Sequence, residues 1–333
     1  MAPASVRERS AGGKTAPGSS VRRRALSAGL PGLFLVLLFL AGAAVAAGPD
    51  GDSAAEYTRR GADTCLKCHD SDHVQAIFRT PHGQAADSRT PFAKLQCETC
   101  HGPGDKHAQR VMPGEKRPPI LTFGSDAPFP VERQNAVCLS CHQRAAGAAW
   151  PAAVHKQAGV ACADCHTVHA VHDSVLTRDA QPSVCYTCHK TQRAQFQRAF
   201  HHPVREGQMA CSDCHKPHKS LSRTLMAQPT VNQTCYTCHA DKRGPFLWEH
   251  PPVAEDCTLC HQPHGSNHRS MLSKAAPLLC QDCHSRAGHP STAFTGNGLP
   301  GRRPSQFVLA GSCTNCHSRV HGSNSPSGAE LFR

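Results

Sequence analysis

Every cysteine in this chain sits in the same five-residue motif, and that motif decides what must fill the interior. The 20 cysteines form ten Cys-x-x-Cys pairs, each followed at once by a histidine. The pairs are Cys65 and Cys68, Cys97 and Cys100, Cys138 and Cys141, Cys162 and Cys165, Cys185 and Cys188, Cys211 and Cys214, Cys235 and Cys238, Cys257 and Cys260, Cys280 and Cys283, and Cys313 and Cys316. The histidines that follow are His69, His101, His142, His166, His189, His215, His239, His261, His284 and His317. Positions i, i+3 and i+4 of a helical turn share one face, so two thiols and one imidazole converge on the same side. This is the attachment grammar of c-type haem, in which the thiols bond the vinyl groups and the imidazole reaches the iron. The expected cofactor is therefore ten haem c groups, with these ten histidines as proximal ligands.

Other uses of Cys-x-x-Cys fit less well. Structural zinc closes with four cysteine or histidine ligands, and nothing in tetrahedral coordination demands a histidine directly after the second cysteine. Disulfides between residues three apart would staple nothing distant. A thioredoxin-like site needs one such motif in a βαβ setting. Composition agrees with haem: only 39% of the residues are apolar, cysteines included, and 5% are aromatic. That is too little for the two ordinary cores a chain of 333 residues would carry.

The N-terminus reads as an export signal. Arg7, Arg9, Lys14, Arg22, Arg23 and Arg24 face one acid, Glu8, and an apolar run from Leu33 to Ala47 ends in Ala43-Ala44-Val45-Ala46-Ala47. This is a basic, an apolar and a small-residue region in order, too short in its apolar part to span a bilayer. Cleavage is expected after Ala46 or Ala47, leaving residues 48–333 as the decahaem domain. Removing the leader takes six basic residues and one acid from a net charge of +12, leaving about +7. Each haem with two ionised propionates and two histidines adds −1 when ferric and −2 when ferrous. The loaded protein then runs from about −3 to about −13, which removes the motive for binding nucleic acid.

The second axial position of each iron decides between electron transfer and catalysis. Five methionines are too few to fill ten places, whereas 14 histidines remain outside the motifs. They fall into a fivefold repeat of motif, histidine, motif, histidine, over about 65–137, 138–184, 185–234, 235–279 and 280–321. The lone histidines of the five units are His82 and His107, His155 and His169, His201 and His218, His250 and His264, and His289 and His321. Twenty histidines then serve ten irons. His201 is preferred to His202 because His201-His202-Pro203-Val204-Arg205-Glu206 aligns with His250-Pro251-Pro252-Val253-Ala254-Glu255. His73, His172, His202 and His268 are left for the surface or for propionates. Spacing does not say which distal histidine serves which haem.

The expected fold is short helices and irregular loops wrapped around a linear haem stack, with little or no β-sheet. Short helices are expected before His82, where Val74, Ile77 and Phe78 share a face, and over Ala194–Phe200. Their apolar faces are expected to pack on haem edges. Residues 102–137 carry six prolines and read as an extended surface excursion. Ten haems on residues 48–333 leave too little chain to insulate each porphyrin, so neighbours must lie near contact. A compact globule of this length has a radius of gyration of roughly 19 Å, and a linear stack of repeats is expected to be more elongated.

Four strings carry a family resemblance: Cys97-Glu-Thr-Cys-His-Gly-Pro-Gly104, Arg243-Gly-Pro-Phe-Leu-Trp-Glu-His250, Cys257-Thr-Leu-Cys-His-Gln-Pro-His-Gly-Ser-Asn-His268 and Val320-His-Gly-Ser-Asn324. With the ten motifs, they make the chain resemble the periplasmic decahaem cytochromes c of the DmsE, MtrA, MtoA and PioA type over nearly all of its mature length. The resemblance implies a non-enzymatic, bis-histidine wire held in an outer-membrane β-barrel porin. It would exchange electrons with periplasmic and extracellular cytochromes or a terminal reductase. Some members reduce extracellular metal oxides or dimethyl sulfoxide and others draw electrons from ferrous iron, so direction stays open. Two other readings compete: a nitrite- or sulfite-type reductase, which needs one open iron, and a freely diffusing periplasmic electron store.

Overall fold

The computed structural model describes residues 56–284 and 313–332. These residues belong to one unit of the fold, Asp52–Arg333. The expected signal segment and His289 lie outside the described residues.

The architecture is a succession of single turns. Apart from Val131–Ala146, no described helix exceeds six residues. Helices this short do not persist on their own in water, so something other than propensity must hold them. Each motif is one such turn. The histidine N–H donates to the carbonyl of the first cysteine at His69, His166, His189, His215, His239, His261, His284 and His317, at 2.8–3.0 Å. The other two motifs lie inside Cys97–His101 and Val131–Ala146.

The motifs alternate in form. In the first motif of each repeat the leading cysteine lies within a helix, short in Ala62–Cys65, Gln181–Cys185, Val231–Tyr236 and Leu278–Gln281 and longer in Val131–Ala146. In the second it opens a turn, as in Cys97–His101, Cys162–Asp164, Cys211–Cys214, Cys257–Leu259 and Cys313–Asn315. Two of these turns are fastened by an aspartate inside the motif: Asp164 accepts the Ala161 N–H at 2.8 Å and Asp213 the Ala210 N–H at 2.9 Å.

No strand occurs among the described residues; β-pairing is limited to four isolated antiparallel bridges. They form two repeated pairs. Phe200 bridges Ser266 and Trp248 bridges Ser323, each joining one repeat to the next, while His215 bridges Met226 and His261 bridges Leu272 within a repeat. No described helix is long and apolar enough to cross a membrane.

Buried apolar residues are few, twelve among the described residues, and eight polar ones are buried with them: Thr80, Glu98, Gln134, Asn135, Asn232, Thr234, Ser266 and Ser323. One small cluster, Ala62, Ile77 and Phe92, packs protein against protein. Ile77 therefore contributes to a local core, where a haem edge was the expected partner. The helix expected over Ala194–Phe200 starts earlier and stops sooner, at Lys190–Gln195.

The proline-rich excursion is less free than its composition suggests. It folds back so that Leu121 accepts from the His101 ring at 2.7 Å and Pro118 from the His107 ring at 2.8 Å. The Arg117 guanidinium donates to the carbonyls of His107 and Gln109.

Candidate haem sites

Two imidazoles that bind opposite sides of one metal ion have a fixed spacing. With a metal–nitrogen bond of about 2.0 Å and a ring centre about 1.1 Å behind each nitrogen, the centroids stand about 6 Å apart. Nine of the ten motif histidines face a second histidine at that spacing. Numbering the motifs 1 to 10 along the chain, His69 faces His107 at 6.2 Å, His101 faces His169 at 6.3 Å and His142 faces His82 at 5.8 Å. His166 faces His218 at 5.8 Å, His189 faces His155 at 6.0 Å and His215 faces His264 at 6.0 Å. His239 faces His202 at 6.1 Å, His261 faces His321 at 6.1 Å and His284 faces His250 at 6.0 Å.

The pairs interlock the repeats. Motifs 2, 4, 6 and 8 face the last histidine of the following repeat; motifs 3, 5 and 9 face the first lone histidine of the preceding one, and motif 7 faces His202, the neighbour of that histidine in the third repeat. Motif 1 alone among the described pairs is closed by a histidine of its own repeat, His107.

Electrostatics agree with the pairing. His82, His155, His169, His218 and His264 are lowered below the usual imidazole range by burial first and by the facing motif histidine second. His321 is lowered by burial, then by Lys242, then by His261. A neutral imidazole is the form that ligates a metal.

At motif 7 the structure brings His202, not His201, to His239. His201 is engaged elsewhere: its Nδ1 donates to the Arg198 carbonyl at 2.8 Å and its Nε2 meets Glu206 at 3.2 Å. The bridges give the reason. Phe200 and Trp248 hold the same position against Ser266 and Ser323, so the residue two beyond each is His202 in one repeat and His250 in the next. The sequence alignment was shifted by one. Of the other spare histidines, His73 stacks on His169 at 5.4 Å.

The thiols trace a second pattern. Within each repeat the leading thiols of the two motifs lie beside each other: Cys65 and Cys97, Cys138 and Cys162, Cys185 and Cys211, Cys235 and Cys257, and Cys280 and Cys313. Between repeats the trailing cysteine lies near the next motif. Burial first, and then Cys138 and Cys141, push Cys100 up to about 11; Cys165 is raised likewise by burial and then Cys185. Cys214 lies near Cys238 and Cys260 near Cys283. Thiol proximity therefore runs from motif 1 to motif 10 without a break and in chain order. All twenty cysteines are free.

Three features of the frame escaped the sequence reading. Asn135 and Asn232 each stand three residues before a leading cysteine and clamp the two motifs of a repeat. Asn135 accepts from the Cys162 N–H at 2.8 Å and Asn232 from the Cys257 N–H at 2.7 Å, while their amides donate to Val160 and to Val253 and Ala254. Gln181 does the same for Ser212 in the third repeat. The signal was an amide just upstream of alternate motifs. The third is Gly265, at φ +144°, whose Cβ would lie 2.3 Å from the Gln195 carbonyl oxygen. This close approach explains the glycine after His264.

No group of three or more His, Cys, Asp or Glu side chains able to hold a metal occurs among the described residues. Paired imidazoles beside paired thiols are the donor set for a metal that brings its own equatorial ligands, so these residues fit haem c.

The chain is 46% identical over 280 residues to the multihaem cytochrome MtrA of Shewanella baltica, covering 83% of each. It belongs to that family of multihaem cytochromes c. Family models for NrfB-like cytochromes c match residues 97–181, for the doubled CXXCH motif 201–244 and 250–289, and for cytochrome c554 and c-prime 46–102. NrfB of Escherichia coli O6:H1 is 34% identical over 136 residues, 39% of this chain and 65% of its own length. NrfB of Haemophilus influenzae is 29% identical over 149 residues.

Proposed function

We propose that this protein carries ten haem c groups in chain order and conducts electrons along them. It would work as an elongated conduit through an outer-membrane β-barrel, after export and removal of residues 1–47. The observation that carries this reading is the set of nine imidazole pairs strung along one unbroken succession of thiols. In this assignment haems 1 to 9 have the distal ligands His107, His169, His82, His218, His155, His264, His202, His321 and His250. His202 thus takes the place given to His201. His289, the one distal candidate left over, serves haem 10 with His317.

Haem supplies the one-electron iron chemistry, and the protein's part is ligand identity, burial and hydrogen bonding. Histidine on both faces closes the iron to substrate, whereas an oxyanion reductase needs an open position. Close attachment points in chain order favour rapid transfer between neighbours. The donors and acceptors are cytochromes in the periplasm and, outside the cell, a cytochrome, metal or dimethyl sulfoxide-type system.

The test is transmembrane electron transfer. The haem-loaded protein, co-purified with its barrel partner, is placed in liposomes enclosing methyl viologen, and dithionite is added outside. The conduit reading expects internal dye to be reduced only when cytochrome and barrel are both present. No transfer by the intact complex, or recovery of the cytochrome free of any barrel after gentle extraction, would reject it.

A further inference from the structure

The proximal histidines are not equivalent. A ligand imidazole turns Nε2 to the metal and keeps Nδ1–H for a second partner, whose charge adjusts how strongly the ring donates. At His101, His215, His261 and His317 that partner is a backbone carbonyl, of Leu121, Thr224, Ser270 and Glu330. At His166 it is a carboxylate: Asp173 Oδ2 lies 2.7 Å from Nδ1.

Asp173 is fixed for this contact. Its side chain is 17% exposed, against 31% for His166. Oδ1 accepts the Thr167 N–H at 3.3 Å and the Val175 N–H at 3.4 Å, and the Asp173 carbonyl accepts from Leu176 at 2.9 Å. Three donors and no acceptor surround the side chain, which suits the ionised, acceptor-only form. As a cap for the turn Ser174–Leu176, an asparagine or serine would serve equally well. The bond to His166 is the shortest of the three, and it is where charge matters.

We infer that Asp173 is a tuning residue for haem 4, holding it at a more negative potential than a backbone carbonyl would. The inference rests on the ligand assignment proposed above. A charge-assisted hydrogen bond draws the Nδ1 proton toward the carboxylate and gives the ring imidazolate character. A stronger donor and a nearby negative charge both favour ferric over ferrous iron. Reduction of an iron held by His166 would take one electron from the neighbouring carrier and form or break no bond, and the fixed charge of Asp173 would oppose the added charge through the ring. Haem 4 then accepts an electron less readily than haems 2, 6, 8 and 10, whose proximal histidines meet backbone carbonyls.

The experiment is an anaerobic potentiometric titration of the full haem-loaded chain, followed by α-band absorbance, with low-temperature EPR and a haem count on each sample. Asp173→Asn keeps the acceptor and removes the charge. One tenth of the absorbance should move positive by about tenfold in its reduction equilibrium, or about 59 mV for one electron. Asp173→Glu should stay near the parent curve. An Asn variant with ten low-spin haems and an unmoved curve would overturn the inference. If that variant loses a haem, His218→Met and His264→Met decide: thioether ligation raises haem 4 in one and haem 6 in the other, and the tenth that moves in the first should start from a more negative potential than the tenth that moves in the second. A tenth that starts at the same potential or a more positive one would overturn it equally. Failure of the ligand assignment itself would be seen separately, as high-spin iron or a haem count below ten in the unaltered protein.

Discussion

The first histidine pair and the interior pairs are formed in opposite ways. His69 faces His107 from its own repeat, and the loop that follows returns to hold that ring through Pro118. From motif 2 to motif 9 every pair joins two repeats: His82 faces a motif histidine of the second repeat, His169 faces one of the first, and so on along the chain. The sequence repeat is therefore not the structural unit. An interior repeat cut from the chain would lose both of its distal partners to its neighbours. Turns of four to six residues gain their stability from such exchange and from the groups they enclose, since their own helical propensity is too small.

The contrast can be broken most sharply at motif 7. Replacing His202 with alanine should leave one iron in ten without its second ligand, giving a high-spin ferric EPR signal of about one tenth of total haem. His201→Ala should leave all iron low-spin. The reverse outcome would restore the sequence alignment and undo the register set by the bridges.

A smaller effect is expected at Gly265, where one repeat lies against the next. Alanine there must accept φ +144° and a Cβ 2.3 Å from a backbone oxygen. We expect a loss of about 1–3 kcal/mol, seen as a lower thermal midpoint, together with a perturbed low-spin signal from the haem that His264 serves.

Next come the amide clamps within repeats. Asn232→Ala strands the Cys257 N–H and two carbonyls and should cost about 1–3 kcal/mol. Gln96→Ala, in the first repeat, breaks one bond to the Ala62 N–H at 2.6 Å and should cost less. Denaturation curves of the two variants compare them directly. Smallest of all is Arg178→Ala. Its ion pair with Asp213 is exposed, 57% and 35%, and its removal should change stability by no more than about 0.5 kcal/mol, leaving the thermal midpoint essentially unmoved.

How much could be read beforehand depended on the range of the interaction. The motif turn is local, five residues with a bond from the histidine N–H to the first cysteine carbonyl, and it was legible at all ten positions. That the chain holds enough spare histidines to face the motif histidines was legible by counting. Their partners were not, because His169 and His101 are joined across a repeat boundary that spacing does not encode. The choice of His201 failed for a similar reason. Aligning the prolines gave one register, while the Phe200–Ser266 and Trp248–Ser323 bridges impose another. Asp173 drew no notice because a lone aspartate in a loop is ordinary until its carboxylate is found 2.7 Å from His166. The export signal and His289 lie where the structure describes nothing, so those readings still rest on the sequence.

The central claim is ten irons, each closed by two histidines. Low-temperature EPR of the fully oxidised, haem-loaded protein, with a pyridine haemochrome count on the same sample, tests it most directly. Ten haems per chain, low-spin ferric signals throughout and no change on adding cyanide are the predicted result. A stoichiometric high-spin signal that cyanide converts would mean an open iron and would contradict the account.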